Sequence, residues 1–317
     1  MNVGVLGAGA VGGSVVELAE EYGHTVTVFA DSQSAVVDPD GIDAAAALSA
    51  KRTDGRVGSA DPEAALDAEY DVLVEATPTT LGDAEPGFSH VRTALERDRH
   101  VVLANKGPIA ERYGDIRRLE AESAGTVRFE ATVGGALPVI STIEGFGPSR
   151  VGSLHGVLNG TANFILSRMS AEGLDYEHVL VEAQDLGVAE TDPTFDVDGT
   201  DTALKGVIVA NLLFEGEYSL EDASIEGIQA LSGNMLELAR EDGQTVRLIA
   251  EVRNGNIRVS PRLVPRESPV APSGTHNAVQ LTVEDAGQVT LSGRGAGGAE
   301  TATAVLADVG RLGENRR

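Results

Sequence analysis

The chain has 317 residues, long enough for two domains with cores of their own, and its lack of cysteine excludes disulfides, thiolate catalysis and cysteine-ligated zinc. Its 49 acidic residues against 24 basic ones give a net charge of −25, which argues against a nucleic-acid partner, since phosphate binding needs a basic footprint. No run reaches the ~20 apolar residues of a membrane helix, and the N-terminus has no signal-peptide pattern, so no membrane association is expected and a soluble cytoplasmic protein is.

The acids are dispersed along the whole chain, and lysine occurs only at 51, 106 and 205. A dispersed acidic, lysine-poor surface suggests a halophilic protein kept soluble in very high salt, where screening removes self-repulsion. Where Arg is otherwise preferred, the surviving lysines draw notice. Lys106 and Lys205 both fall in motif-like stretches.

In chain order, Asn2 to Leu6 reads as a buried strand. The turn GAGAVG follows, then a helix from Val11 to about Glu21 and a second strand from Val26 to Phe29, ending at Asp31. This is the strand–turn–helix–strand context of a dinucleotide fingerprint. Gly7 permits the tight turn, Gly9 lets a pyrophosphate approach the backbone, and Gly12 lets helix pack on strand. The helix N-terminus supplies amides and dipole to the phosphates. Asp31 would accept hydrogen bonds from an adenosine ribose, which favours NAD over NADP while leaving either usable.

Residues 34 to 60 read as one helix with an irregular start. Strands at 70–76 and 100–103, helices at 87–97 and 111–123, and a strand at 127–130 complete a doubly wound sheet. Thr77 and Lys106 lie at strand C-termini, where nucleotides bind in such sheets. Glu130 enters a Gly-Gly turn. As a bare pattern this is a tight interdomain turn, although a carboxylate beside turn carbonyls also suits a hard cation.

A second domain opens with a strand at 151–158, closing on Asn159-Gly160-Thr161. Helices follow at 163–172 and 174–186. The segment from Leu186 to Gly206 then carries Glu190, Asp192, Asp196, Asp198, Asp201 and Lys205. Pro193 and Gly199 break any continuous helix there, and helical spacing resumes at Thr200, which is a candidate cap. Asp201 and Lys205 then share a helical face; as a surface salt bridge the pair is worth a few tenths of a kcal/mol at about the i,i+4 norm. A helix at 225–240 and strands at 245–252, 257–263, 278–283 and 288–292 come next. The turns Asn254-Gly255 and Ala286-Gly287 suggest antiparallel pairing. Residues 265–275 read as a loop, and the chain ends in a Gly-rich stretch and a helix at 300–312. His155, alone on an apolar strand, reads as a satisfied core residue, and the six histidines show no zinc-ligand spacing.

Six motifs now stand in order: GAGAVG, ANKGP (104–108), FEATVGGALP (129–138), GVLNGTANFIL (156–166), AETDPTFDVDGTDTALK (189–205) and GRGAGGAETATAVLADV (293–309). With them the chain resembles homoserine dehydrogenases over essentially its whole length. The resemblance implies an α/β fold: an N-terminal Rossmann-type doubly wound sheet (1–130), a C-terminal α+β catalytic and dimerisation domain (131–295), and a final helix (296–317) returning to the nucleotide domain. It implies reversible NAD- or NADP-dependent interconversion of L-homoserine and L-aspartate 4-semialdehyde, in threonine, methionine and isoleucine biosynthesis, by a homodimer. By motif, Lys205 exchanges the proton at the substrate's C4 oxygen, and Lys106 sits near both nicotinamide and substrate. Glu190 and Asp201 bind homoserine, with the Gly160-Thr161 turn beside it. Gly7, Ala8, Gly9, Ala10, Val11, Gly12, Asp31, Thr77, Lys106 and Gly297 serve the cofactor. Glu130 with the backbone oxygens of Val133, Gly135 and Leu137 corresponds to a monovalent-cation site for Na+ or K+. Ala136 stands where the family often has a third glycine, and, with the chain ending soon after the last helix, feedback inhibition through a regulatory extension is not expected. The rival within enzymes is another two-domain amino-acid dehydrogenase acting on aspartate or a diamino acid. A non-catalytic nucleotide sensor would have no need of Lys106 and Lys205 in their motifs.

The chemistry explains the residue types. Hydride loss from C4 of the alcohol leaves a carbonyl, so the hydroxyl proton needs an acceptor, and the reverse reaction needs a donor. A lysine side chain beside that oxygen can do both, accepting the proton as the amine and donating it as the ammonium, whereas a guanidinium does not release its proton.

Overall fold

The structure is a computed structural model that describes residues 1–314; positions 315–317, the end of the expected C-terminal segment, lie outside the described residues. Two compact units form: Met1–Ala136 together with the chain from Gly297, and Leu137–Ala296. The division falls after Ala136 rather than after Glu130, because the 3-10 turn Glu130–Thr132 packs with the first unit's last helix.

The first unit runs β1 (Asn2–Leu6), α1 (Ala10–Leu18), β2 (Thr25–Ala30), β3 (Ala35–Val37), α2 (Ala44–Asp54), α3 (Glu63–Asp67), β4 (Val72–Glu75), α4 (Gly87–Leu95), β5 (His100–Leu103), α5 (Lys106–Glu111), α6 (Tyr113–Ala121) and β6 (Val127–Arg128). The strand order is β3-β2-β1-β4-β5-β6. All neighbours are parallel except β3, which lies antiparallel on the edge of β2. Val3, Val5, Val72, Val74, Val101 and Val102 are fully buried, which is why these strands read as apolar runs without alternation. The order reverses between β1 and β4, and the C-terminal ends of these two strands mark the switch point of a Rossmann-type sheet.

The expected single helix over 34–60 is corrected. Ala35–Val37 is a strand, because two β-branched residues meet the free edge of β2, and only after the Pro39–Gly41 turn does α2 begin. Asp43 caps that helix, its Oδ1 accepting from the Ala46 amide at 2.9 Å.

The second unit comprises α7 (Val139–Phe146), β7 (Val151–Val157), α8 (Gly160–Glu172), α9 (Tyr176–Asp185), α10 (Thr194–Val197), α11 (Thr200–Leu213), β8 (Ala223–Ile225), α12 (Gly233–Glu241), β9 (Gln244–Arg253), β10 (Asn256–Pro265), β11 (His276–Val283) and β12 (Gly287–Arg294). Its sheet has the order β12-β11-β7-β9-β10-β8, antiparallel apart from β8 on β10. Helices α8, α11 and α12 pack on β9, and Ala162, Ile165, Val246, Leu248 and Val259 share one core. The chain then adds α13 (Gly298–Glu314) to the first unit, along α1.

Three expectations change here. The helix over 225–240 begins only at Gly233, since Ala223–Ile225 pairs with β10 as a strand, Gly227 lies close against the chain, where a Cβ would come within 2.7 Å of the Val197 carbonyl oxygen, and a turn follows at 228–230. Thr200 does not cap α11. Gly199 does, at φ 93°, and Asp198 Oδ1 accepts from the Thr200 amide at 2.8 Å. His155 is not a satisfied core residue. It is half-buried, with Nδ1 3.7 Å from Glu251 Oε1, because its neighbours across the sheet, Glu251 and Gln280, are themselves only half-buried. Burial lowers its pKa, with the neighbouring Glu251 opposing.

Candidate active site

In the first unit the fingerprint turn is built as its glycines require. Gly7 adopts φ 107°, and a Cβ there would lie 2.2 Å from the Ala76 carbonyl oxygen. At Gly12 a Cβ would meet the Gly7 carbonyl oxygen at 1.8 Å. Gly9 is different: it is exposed, caps α1 without any side chain, and a Cβ there would touch nothing within 4 Å. The turn is thus closed by its first and third glycines and open at its second, the shape a pyrophosphate over a helix N-terminus needs. Ala8, Ala10 and Val11 flank that opening, partly or fully exposed. Gly297, at φ 126°, leads into α13, whose first residue Gly298 packs against the Ala10 carbonyl.

Asp31 ends β2 but is already engaged. Its Oδ1 accepts from the amides of Gln33 and Ser34 at 2.8 Å each, and its Oδ2 from Lys51 Nζ at 2.7 Å. Burial works to raise its pKa, but Lys51 and the two amides outweigh it and hold the carboxyl below its usual value. The third lysine of the chain therefore sits on the expected ribose carboxylate, a pairing that the 20-residue separation hid from sequence reading.

A second buried carboxylate went unnoticed in the sequence. Glu75, at the end of β4, accepts from the Thr77 amide at 2.9 Å and from its hydroxyl, from Asn105 Nδ2 at 3.4 Å, and lies 2.6 Å from His90 Nδ1. It ties the Thr77 loop to the loop before α5. Asn105 caps α5 through the Gly107 amide at 2.9 Å, which sets Lys106 at the helix start, half-buried, with its backbone amide 3.3 Å from Thr79 Oγ1.

Glu130 is buried, with Oε2 3.8 Å from Arg311 Nη1, and its amide donates to Asp308 Oδ2 at 2.9 Å. Burial pushes the Asp308 carboxyl up. The turn that follows runs through Val133 and Gly135, the latter at φ 59°. Glu130 and the peptide carbonyls of this turn would offer oxygen donors only, the chemistry a hard monovalent cation takes. The Arg311 guanidinium already supplies part of the positive charge there.

In the second unit the acidic segment resolves into separate duties. Asp192 and Asp198 close turns, accepting from the Thr194 and Thr200 amides at 3.1 and 2.8 Å. Glu190 is exposed, and its backbone carbonyl rather than its carboxylate is held, by Gln184. Asp201 and Lys205 form one turn of α11, and both are buried, at 6% and 8% exposure. Lys205 Nζ donates to Asp201 Oδ2 at 2.7 Å and to the Leu158 carbonyl at 2.6 Å. This is no surface ion pair: an amino group this deeply buried is fixed in direction by one carboxylate and one carbonyl.

The structure brings Asp196 and Asn159 into the same cluster. Asn159 Nδ2 donates to Asp196 Oδ1 at 2.7 Å and to Asp201 Oδ2 at 2.9 Å, while its Oδ1 caps α8 through the Ala162 amide at 2.8 Å. Gly160 and Thr161 are the first turn of α8 rather than a separate turn, and the Thr161 hydroxyl donates to the Val188 carbonyl at 3.1 Å. Burial, then repulsion from Asp201, raises the Asp196 pKa, against hydrogen bonds from Asn159 and Thr161 and the charge of Lys205. Sequence reading passed over Asn159, although an Asn at a strand-to-helix junction is a cap signal. It passed over Asn163 too, whose Nδ2 donates to the carbonyls of Pro272, Gly274 and His276 and pins the 265–275 loop to α8.

With this geometry the comparisons are consistent. The family model for homoserine dehydrogenase matches residues 138–309, and the model for glutamate/leucine/phenylalanine/valine dehydrogenase matches residues 1–79. The homoserine dehydrogenase of Methanocaldococcus jannaschii is 37% identical over 330 aligned positions, covering 98% of this chain and 97% of its own. An NAD(+)-dependent homoserine dehydrogenase of Pseudomonas canavaninivorans is 41% identical, over 80% of this chain and 74% of its own. A hyperthermophilic archaeal homoserine dehydrogenase in complex with NADPH superposes with a TM-score of 0.85 at 26% identity, covering 99% of this chain and 98% of that one. The chain belongs to the homoserine dehydrogenase family.

Proposed function

We propose that the chain catalyses the reversible NAD(P)-dependent interconversion of L-homoserine and L-aspartate 4-semialdehyde, in threonine, methionine and isoleucine biosynthesis, as a cytoplasmic homodimer built through its second unit. The observation that carries this reading is the buried Lys205 ammonium, held by Asp201 and the Leu158 carbonyl in a chain that uses lysine three times. The first unit is the nucleotide-binding domain, completed by the chain from Gly297, and the second is the homoserine-binding domain. The open turn at Gly9 supports that assignment. A bound nicotinamide supplies the hydride acceptor for the alcohol.

The chain's own residues do the rest. Gly7 to Gly12 receive the diphosphate, and Thr77, Lys106 and Gly297 complete the cofactor contacts. Asp31 with Lys51 faces the adenosine ribose, a pair able to meet a hydroxyl or a phosphate, which supports use of either NAD or NADP. Lys205, as the amine, takes the hydroxyl proton on oxidation and returns it in reverse. Asp201, with Glu190 and the start of α8 at Gly160 and Thr161, binds the zwitterionic amino acid. Glu130, Val133, Gly135 and Leu137 hold a monovalent cation.

The test is cofactor reduction at 340 nm with homoserine, aspartate and a diamino acid in parallel, with each cofactor. Turnover of homoserine alone is expected; turnover only of a rival substrate rejects the reading. Because its carboxylate is exposed, Glu190 is available to a substrate ammonium, and Glu190→Gln is expected to raise KM for homoserine by ~10-fold with little change in kcat. An unchanged KM removes Glu190 from the site. The dispersed acidic surface leads us to propose salt adaptation as well. Raising KCl from 0.1 to about 2 M is expected to lift the melting temperature by about 5 °C or more through screening. A falling melting temperature over that series rejects the proposal.

A further inference from the structure

We propose that Asn159 is a positioning residue for the reaction, its carboxamide bridging Asp196 and Asp201 so that Asp201 is aimed at Lys205. The inference rests on the homoserine dehydrogenase reading and goes beyond the residues that reading names. Two carboxylates this close repel one another or share a proton unless a donor stands between them. Asn159 Nδ2 has two hydrogens, and each goes to a different carboxylate, Asp196 at 2.7 Å and Asp201 at 2.9 Å. The amide cannot be turned over, because its Oδ1 is fixed by the Ala162 amide at 2.8 Å and would otherwise confront two anions. Asn159 is itself only 5% exposed, so water does not replace it.

Asp201 Oδ2 receives both this amide and Lys205 Nζ, so the orientation of Asp201 toward the ammonium is set from two directions. The same side chain caps α8, which begins with Gly160 and Thr161. One carboxamide therefore registers the start of α8 against the α11 face that carries the chemistry. Around Asp196 stand Asp201 and Lys205 of α11 and, at the start of α8, the neutral Asn159 and Thr161. Burial and Asp201 raise the Asp196 pKa, and the Asn159 hydrogen bond works against them. Its removal is therefore expected to move carboxylate protonation to higher pH.

The experiment compares pH profiles of kcat and kcat/KM for homoserine oxidation in the unsubstituted enzyme, Asn159→Ser and Asn159→Asp. Ser and Asp are both good helix caps, so melting temperatures are expected to stay within about 4 °C. Neither can donate to both carboxylates. We expect kcat to fall by ~10-fold or more, KM for the cofactor to hold, and the acid limb to move up by about one pH unit, further for Asp than for Ser. A folded variant whose acid limb stays put overturns the proposal. If neither variant folds, the unsubstituted enzyme labelled with 15N-asparagine answers: the Asn159 carboxamide resonance should shift with the midpoint of the acid limb, and a resonance that does not move overturns it. Absence of homoserine turnover in the unsubstituted enzyme defeats the functional reading instead. Normal turnover there with unaltered Asn159 variants defeats only this inference.

Discussion

Lys205→Ala is expected to lower kcat for homoserine oxidation by ~100-fold or more while KM for homoserine changes by less than ~3-fold. The ammonium is buried and directed by Asp201 and the Leu158 carbonyl, so no solvent cation takes its place. Taking one partner from a buried ion pair also costs stability, about 3–5 kcal/mol. Lys205→Met, of similar length, is therefore the companion variant, and melting curves separate unfolding from lost chemistry. Lys205→Arg is expected to remain just as slow, because a guanidinium keeps its proton. Full turnover by any of the three, once folded, makes Lys205 a structural ion-pair partner and nothing more.

Gly12→Ala is expected to weaken cofactor binding by ~100-fold or more and to destabilise the fold by about 1–3 kcal/mol. The new methyl would lie 1.8 Å from the Gly7 carbonyl oxygen, so the turn must open and α1 must retreat from β1. Either movement withdraws the helix N-terminal amides from the phosphates. Gly13→Ala is the control one residue along. Its methyl would meet only Leu48 Cδ2, at 3.5 Å, an ordinary contact. That variant is expected to bind cofactor normally and to gain up to about 1 kcal/mol from helix propensity. Titration calorimetry and thermal melts read both. Equal cofactor affinity in the two variants would mean that this turn does not hold the dinucleotide.

The contrast between what was and was not legible follows from range. Strand β5 and the fingerprint turn are local, and their apolar runs and glycines stand in the sequence. Lys205 and Asp201 were legible because four residues on a helix is also a local distance. The strand at Ala35–Val37 was not, since three residues become a strand only against an open sheet edge. Nor was β8, for the same reason. The partners hidden from sequence reading are separated widely: Lys51 from Asp31, His90 from Glu75, and Asn159 from Asp196 and Asp201. Within the acidic segment, composition could not tell the turn-closing Asp192 and Asp198 from Asp196, which meets Asn159 beside Asp201.

Helix α13 has an implication for how the molecule is made. It lies along α1, yet the ribosome translates it only after the whole of Leu137–Ala296. The first unit's sheet precedes the second unit in the chain and must wait, with the side of α1 that α13 will cover still bare, until α13 has left the tunnel. Residues Val15, Val16, Val305 and Val309 of that shared core can meet only then. A unit made before its neighbour is thus completed only after it.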